Sequence, residues 1–358
     1  MKTNISGSVL QALLAALFFG VSAPLSKLLL GNVSPVLMAA FLYLGSGSGI
    51  TLMKLLQRSR RGGKELEADI RRTDAGWLAG AIITGGIAAP ILLMISLKNT
   101  PASTASLLLN FEGVATTLIA LFFFREAISR RALSAIAAIT MASIFLSTPF
   151  EGGFRFSLGA LGVLGACSLW GVDNNFTRNI SAKDPLTIVA WKGLVAGTFS
   201  LALGLLLGER LPPVTSILSI LLLGWICYGL STMFFIYSMR GLGAARTSAF
   251  YGTAPLAGVF VSFLIFKEPI TLLFGLAAIL MVGGAFLLAN EEHAHFHIHM
   301  PVVHEHRHSP QDGFHRHEQG GPAASHSHEH VHPRTGHEHG HMPDIHHRHG
   351  HDQEEDEA

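Results

Sequence analysis

Three ionisable side chains lie inside apolar runs where charge is costly: Glu112 in "LLLNFEGVATT", Asp173 in "SLWGVDNNFTR" and Lys192 in "IVAWKGLVAG". A charge at the centre of a membrane helix costs about 2.5–3.5 kcal/mol on insertion scales, so such a residue is a functional candidate by default. Glu112 and Asp173, with Asn174 and Trp170 beside Asp173, have the chemistry of a proton carrier or of ligands for a polar solute. The plainer alternative is an ion pair that ties helices together, for example Asp173 with Lys192. Lys192 suits pairing, or extending its long stem toward the interface.

A second chemistry is segregated from the first. All 20 histidines lie at or beyond His293, and the first 292 residues contain none. Many alternate: His293, His295, His297 and His299; His304, His306 and His308; His326, His328, His330 and His332; His337, His339 and His341. His346, His347, His349 and His351 follow. A helix throws residues two apart to opposite faces. An extended chain puts them on one face, about 6.6 Å apart. Neutral imidazole suits Zn, Ni, Co and Cu. The spacing has no finger-like regularity, so it predicts several weak, exchangeable metal sites, with no cofactor required by the rest of the chain. The bland alternatives are drifted low complexity and a pH-responsive polyampholyte.

The elements that must position these groups follow from composition. Only 14% of the 358 residues are charged and 49% are hydrophobic, where a soluble domain carries about 25% charged residues. Eleven of the 24 acids lie beyond Glu292, which leaves the body poorer still in charge. Uncharged apolar stretches of about 18 residues or more recur, the mark of membrane helices. Spans are expected near 9–29, 35–56, 76–97, 102–124, 131–148, 158–179, 186–207, 216–238, 246–266 and 271–290. The first is too long for a signal-peptide core and has no small-residue cleavage site. The only cysteines, Cys167 and Cys227, sit in apolar runs and read as small buried hydrophobes. No phosphate-cradling loop, catalytic triad or basic aromatic patch appears, which argues against an enzyme and against nucleic-acid binding. From 291 onward, polar and Gly/Pro-rich residues cannot bury enough apolar surface to fold alone, so a disordered tail is expected over 291–358.

The loop at 57–76 carries Arg58, Arg60, Arg61, Lys64, Arg71 and Arg72. The positive-inside rule puts it in the cytoplasm, and an even number of spans puts both termini there, in an inner (plasma) membrane. The body also repeats itself. "FFGVSAPLSK" at 18–27 aligns with "LWGVDNNFTR" at 169–178. "ISLKNTPASTAS" at 95–106 aligns with "YSMRGLGAARTS" at 237–248, and "FFFREAI" at 122–128 with "LIFKEPI" at 264–270. The offset drifts only from 151 to 142 residues. Each copy, 9–148 and 158–290, holds five spans. Five is odd, so the second copy is inverted, an architecture of secondary transporters that work by alternating access.

These segments resemble the drug/metabolite transporter superfamily, specifically its EamA-like branch, over about 9–290. The carriers are "FGVSAPLSK" and "WGVDNNFTR", and above all "SLKNTPASTASLLLNFEGVATTLIALFFFREAIS" with its partner "YSMRGLGAARTSAFYGTAPLAGVFVSFLIFKEPIT". The resemblance implies an all-α membrane fold of about ten transmembrane helices. It also implies a central cavity lined by spans 1, 3, 4, 6, 8 and 9, and transport without ATP hydrolysis. The chain departs from the pattern at "LNFEGVA", where proline usually follows, as in "APLAG" of the second half. A fourth span straighter than its partner is the expectation.

Glu126 and Glu268 end their spans at matching positions and suggest a fold-supporting role, such as capping the following helix. Lys98 and Arg240 end the third and eighth spans, where they reach the interface or gate the cavity mouths. Pro24, Pro90 and Pro255 lie inside spans and break helical hydrogen bonding, as hinges or cavity linings would. Glycines in "LGSGSG", "LGALGVLGA" and "MVGGAF" allow close helix approach, and in the last span contact with a second copy. The functional expectation is secondary transport of a small metabolite or amino-acid-like solute, with export and proton coupling, in a lipid bilayer. The alternative is a transporter of divalent Ni, Co or Zn whose tail buffers or senses the ion.

Overall fold

The computed structural model describes residues 5–60, 68–124, 130–147, 157–180, 183–242, 250–268 and 270–289, together with the backbone of 293–299, 302–308, 326–332 and 335–341. Glu126, Arg61, Lys64 and His346 to His351 lie outside the described residues.

Among the described residues, the apolar helices of the body fall into ten consecutive spans. Span 1 is α1 (Ile5–Gly20) and α2 (Ser22–Leu29), and span 2 is α3 (Pro35–Arg60). Span 3 is α4 (Ala75–Ala81), a π-helical segment (Ile82–Ala88) and α5 (Ala89–Leu97). Span 4 is α6 (Ala102–Leu108) and α7 (Phe111–Phe124), and span 5 is α8 (Arg130–Ser147). Spans 6 and 7 are α9 (Leu158–Asn179) and α10 (Pro185–Leu206). Span 8 is α11 (Val214–Gly224), a second π-helical segment (Trp225–Leu230) and α12 (Ser231–Leu242). Spans 9 and 10 are α13 (Ala254–Phe266) and α14 (Leu272–Ala289). Among the described residues, six continuous helical stretches are long and apolar enough to cross a membrane, and Leu133–Leu146, Ala254–Phe266 and Leu272–Gly284 are shorter apolar helices. The outer surface is apolar, with Phe122, Phe123, Phe260, Leu264 and Phe286 exposed. Serines such as Ser22, Ser26, Ser46 and Ser106 are buried. That inside-out distribution suits lipid rather than water.

Packing obeys the internal repeat. Span 1 packs on spans 8 and 9, and its counterpart, span 6, packs on spans 3 and 4. Spans 2 and 7, 4 and 9, and 5 and 10 each pack on their own counterpart. Exchanging the halves therefore maps the contacts onto themselves. The central pair, α3 and α10, starts alike. Asp184 accepts a hydrogen bond from the amide of Leu186 at 3.0 Å, and Ser34 accepts one from Leu37 at 3.4 Å. In each case a proline follows at the first helical position, where its missing N–H costs nothing. Lys54 of α3 pairs with Asp184 at 2.8 Å, and Ser34 donates to Glu209 beyond α10 at 2.5 Å, so both ends of the pair are clipped. In the middle the backbones nearly touch. A methyl group on Gly47 would lie 2.4 Å from the Leu194 nitrogen, and one on Gly193 would lie 2.5 Å from the Gly47 nitrogen.

Helix breaks are the other organising feature. Pro24 has no N–H for the Gly20 carbonyl, and the chain turns at Val21 between α1 and α2. Pro255 begins α13 just past a turn at Gly252 and Thr253. The straight fourth span expected from the absence of proline is not found. Span 4 breaks at Leu109 and Asn110, at the place matching the turn in span 9. Amide bonds tighten there to the third residue back, from Glu112 to Leu109 at 3.1 Å and from Gly113 to Asn110 at 3.2 Å. A local 3₁₀-type turn needs no proline.

The tail contains two antiparallel ribbons. β1 (His293–His299) pairs with β4 (Thr335–His341), and β2 (Val302–His308) pairs with β3 (His326–His332). Extended backbone is what the alternating histidines favour. Isolated two-stranded ribbons are marginal in water, which agrees with a tail that has no apolar core of its own.

The α3–α10 crossing yields a stability prediction. Gly47→Val places carbon against backbone that cannot yield, and overpacking of this kind costs about 1–3 kcal/mol. The purified variant should melt several degrees lower. Gly76→Ala, where an added methyl meets nothing within 4 Å, should leave the melting temperature unchanged or raised.

Candidate functional site

The two acidic candidates take different environments. Asp173 on α9 is tied down: its Oδ2 pairs with Lys192 Nζ of α10, and its Oδ1 accepts from Thr177 Oγ1 at 3.0 Å. The carboxylate lies against the π-helical segment of span 3, where a methyl on Gly85 would come within 1.9 Å of Oδ2. The reason this segment is π-helical can be read from its hydrogen bonds. The Ala89 amide bonds back to Thr84 rather than to Gly85. The next amide in line for the Gly85 carbonyl belongs to Pro90, which has none. The orphaned carbonyl instead accepts from Tyr43 Oη at 2.6 Å and Trp170 Nε1 at 3.0 Å. One freed carbonyl thus gathers spans 2, 3 and 6, and Lys192 adds span 7.

Glu112 sits in the first turn of α7, just after the break, where a helix N-terminus favours negative charge. Its Oε1 accepts from Asn174 Nδ2 at 2.8 Å, and the same amide reaches Thr116 Oγ1 at 3.1 Å. Asn175 donates to the Thr116 carbonyl at 3.1 Å, closing a polar seam between α7 and α9. None of the described ion pairs includes Glu112.

Around these groups the rings converge. Phe19 stacks on Tyr251 at 5.5 Å between centroids and meets Trp170 and Tyr228 edge-on at 6.4 Å each. Tyr43 and Tyr228 lie 5.7 Å apart. Five buried polar atoms make no hydrogen bond among the described residues: Ser22 Oγ, Ser26 Oγ, Asn110 Nδ2, Trp225 Nε1 and Tyr228 Oη. All but Ser26 sit at, or directly after, a helix break in span 1, 4 or 8, and Ser26 is one turn further on. A buried polar group without a partner is costly. Such atoms are open to a polar partner.

The remaining candidates fall elsewhere. Glu268 does cap a helix, but not the one that follows it. Its carboxylate accepts from the amides of Ala102 at 2.8 Å and Ser103 at 2.9 Å, at the start of α6 in the other repeat. Lys27 donates to the Thr100 carbonyl beside it and lies 5.9 Å from the Phe266 ring, so spans 1, 3, 4 and 9 are joined at one mouth. Lys98 is exposed at the end of α5. Arg240 lies in α12, and its side chain is outside the described residues. Pro24 and Pro90 each follow a break that their missing N–H helps create; Pro255 opens the helix after one. Cys167 is buried, with its thiol 3.6 Å from the Leu108 carbonyl at the span 4 break, and Cys227 is buried too. Among the described side chains, no three His, Cys, Asp or Glu converge to hold a metal ion. Sequence reasoning missed Tyr43, Gly85 and the Lys54–Asp184 clip. The clip was findable from the paired "SP" and "DP" helix starts; the π-helical segments carry no comparable signal.

Removing one partner of a buried ion pair strands the other, at about 3–5 kcal/mol, whereas replacing both with neutral groups is far milder. Asp173→Asn and Lys192→Met should each lower the melting temperature clearly. The double variant should recover most of the loss. Additive losses would show that the two side chains act independently.

Comparison with known proteins agrees with this arrangement. The model of the EamA-like transporter family matches residues 6–148 and again 157–290. An uncharacterized transporter of Methanothermobacter thermautotrophicus is 29% identical over 289 residues, covering 76% of this chain and 83% of that relative. One solved crystal structure superposes with a TM-score of 0.57 at 21% identity, over 78% of this chain and 94% of that one, a likeness of fold. Two family matches, one per five-span repeat, coincide with the two halves that the packing exchanges, and the chain belongs to the EamA-like transporter family.

Proposed function

We propose that this multi-pass membrane protein is a secondary transporter that exports a small, amino-acid-like metabolite by alternating access, with a proton as the coupling ion. The observation that carries the reading is the contrast between the two carboxyls. Asp173 is neutralised by Lys192 and belongs to the frame. Glu112 has an amide partner and, among the described residues, no ion pair, and it follows a helix break. A solute with an ammonium group and further hydrogen-bonding groups matches that set, and a proton on Glu112 is the natural alternative occupant when the solute leaves. Five spans per repeat and contacts that map onto themselves support two exchangeable conformations. The basic residues within 57–76 support cytoplasmic termini in the plasma membrane.

Purified protein in vesicles, offered panels of amino acids, other amine metabolites and divalent metals, tests the reading. With the transported solute identified, Glu112→Gln should cut the rate at least about tenfold, the usual size of a lost charged contact of about 1.4 kcal/mol or more, and leave the melting temperature close to that of the parent. Transport by Glu112→Gln at parental rates across the whole pH range would remove Glu112 as carrier and ligand. Uptake of divalent metals alone would replace the metabolite reading with the metal one.

A further inference from the structure

The tail's backbone register carries information that its sequence alone does not. In β1 and β4, His293 is opposite His341, His295 opposite His339, and His297 opposite His337. In β2 and β3, His304 is opposite His330, His306 opposite His328, and His308 opposite His326. Twelve histidines thus fall into six rungs of His facing His. A shift of either ladder by one residue would leave no histidine opposite another. The rungs alternate with unlike ones, such as Ala294 opposite Gly340 and Phe296 opposite Glu338. Residues directly opposite in an antiparallel pair share a face, with Cβ atoms about 4.5–5.5 Å apart. The next rung on that face is about 6.6 Å along. Two successive rungs therefore bring four histidine positions around one point.

We propose that each ribbon is a cross-strand metal site, in which four histidines from two adjacent rungs hold one zinc-like divalent ion. Four imidazoles suit tetrahedral Zn, with Zn–N distances of about 2.0–2.1 Å, and Co, Ni and Cu compete for the same donors. Three rungs per ribbon supply one four-ligand site and one rung to spare. The chain therefore holds about two tightly bound ions, one per ribbon, by that four-ligand count. This differs from a string of local sites, because each ion needs both strands. It also makes the ion part of the fold. A lone ribbon is marginal, and Glu305 stands opposite Glu329, a like-charge rung that opposes pairing. Metal binding adds its own free energy to strand pairing, so the ribbons become stable when the ion arrives.

The test uses the full-length protein in detergent, titrated with Zn(II) against a chromophoric chelator. About two ions should bind tightly, and binding should fall below roughly pH 6.5 as imidazole protonates. Co(II) should give the intense visible absorption of tetrahedral nitrogen ligation. Deleting 326–358 leaves nine of the 20 histidines, but it removes one strand of every rung. Both tight sites should vanish. Retention of about half the tight capacity would mean local sites and would overturn the proposal. The finer test compares His295→Ala/His297→Ala with His337→Ala/His339→Ala. Each pair should remove the same single ion, and the quadruple variant should lose no more than either pair. If the quadruple variant loses two ions, the strands bind independently and the cross-strand assignment is wrong.

Discussion

Inside a bilayer, a backbone or side-chain polar atom released from its helix cannot turn to water, and it must find a partner within the protein. The architecture of this chain follows from how it meets that demand. Among the described residues five spans break or turn π-helical, and four of them do so in matching pairs: span 3 with span 8, and span 4 with span 9. Where a released group is satisfied, it becomes a strut. The Gly85 carbonyl holds Tyr43 and Trp170, and Asp173 holds Lys192 against the same bulge. Where no neighbour supplies a partner among the described residues, as at Ser22, Asn110, Trp225 and Tyr228, a buried polar atom is left without a hydrogen bond. Frame and site are one phenomenon with two outcomes, decided by whether a neighbouring helix supplies the partner.

The same logic explains which parts were legible in the sequence. The spans are legible because hydrocarbon imposes a length and a composition on any helix that crosses it. The five-span repeat is legible because Lys27 and Arg178, Lys98 and Arg240, and Glu126 and Glu268 punctuate uniform apolar text at offsets that drift only from 151 to 142 residues. The Asp173–Lys192 pair could be weighed beforehand, since a charge in an apolar run asks for a counter-charge and few exist. The break in span 4 was misjudged because proline was taken as its cause, whereas Asn110 and Gly113 permit a tight turn without one. The π-helical segments were invisible: they depend on a hydrogen bond slipping from Gly85 to Thr84, a choice set by Tyr43, Trp170 and Asp173 packing from other spans. Glu268 was recognised as structural, but its target lies more than 160 residues away in the chain, and no local capping pattern points across such a distance.

The tail obeys the opposite solvent. It has too little apolar surface to build a core, so its order must come from elsewhere, and the pairing register is structural information that two strands can store. A period of two in the histidines and a ladder that pairs them in phase are the same fact seen along and across the chain.

The body's symmetry is itself uneven in an informative way. Gly20 packs on Ala254 and Ala257, and its counterpart Gly171 packs on Ala115 and Thr116, so the scaffold contacts are repeated closely. The chemistry is not repeated. By the same offsets, Glu112 corresponds to Ala254 and Asp173 to Ser22, and with the helix starts Pro35 and Pro185 aligned Lys192 corresponds to Leu42. Pro24, which breaks span 1, corresponds to Asn175, which leaves α9 unbroken and uses its amide to bind the Thr116 carbonyl. Switching between two mirror-related conformations asks only that the scaffold be the same in both halves, because the helix contacts of one state must be available in the other. Holding a solute asks the reverse. A small polar molecule has a charged end and an uncharged end, and a site with identical ligands on both sides of its axis would bind it in two orientations equally. Among the described residues Glu112 and the Asp173–Lys192 pair lie on spans 4, 6 and 7, while spans 1 and 8 carry hydroxyls and rings, so a repeated scaffold surrounds chemistry that is not repeated.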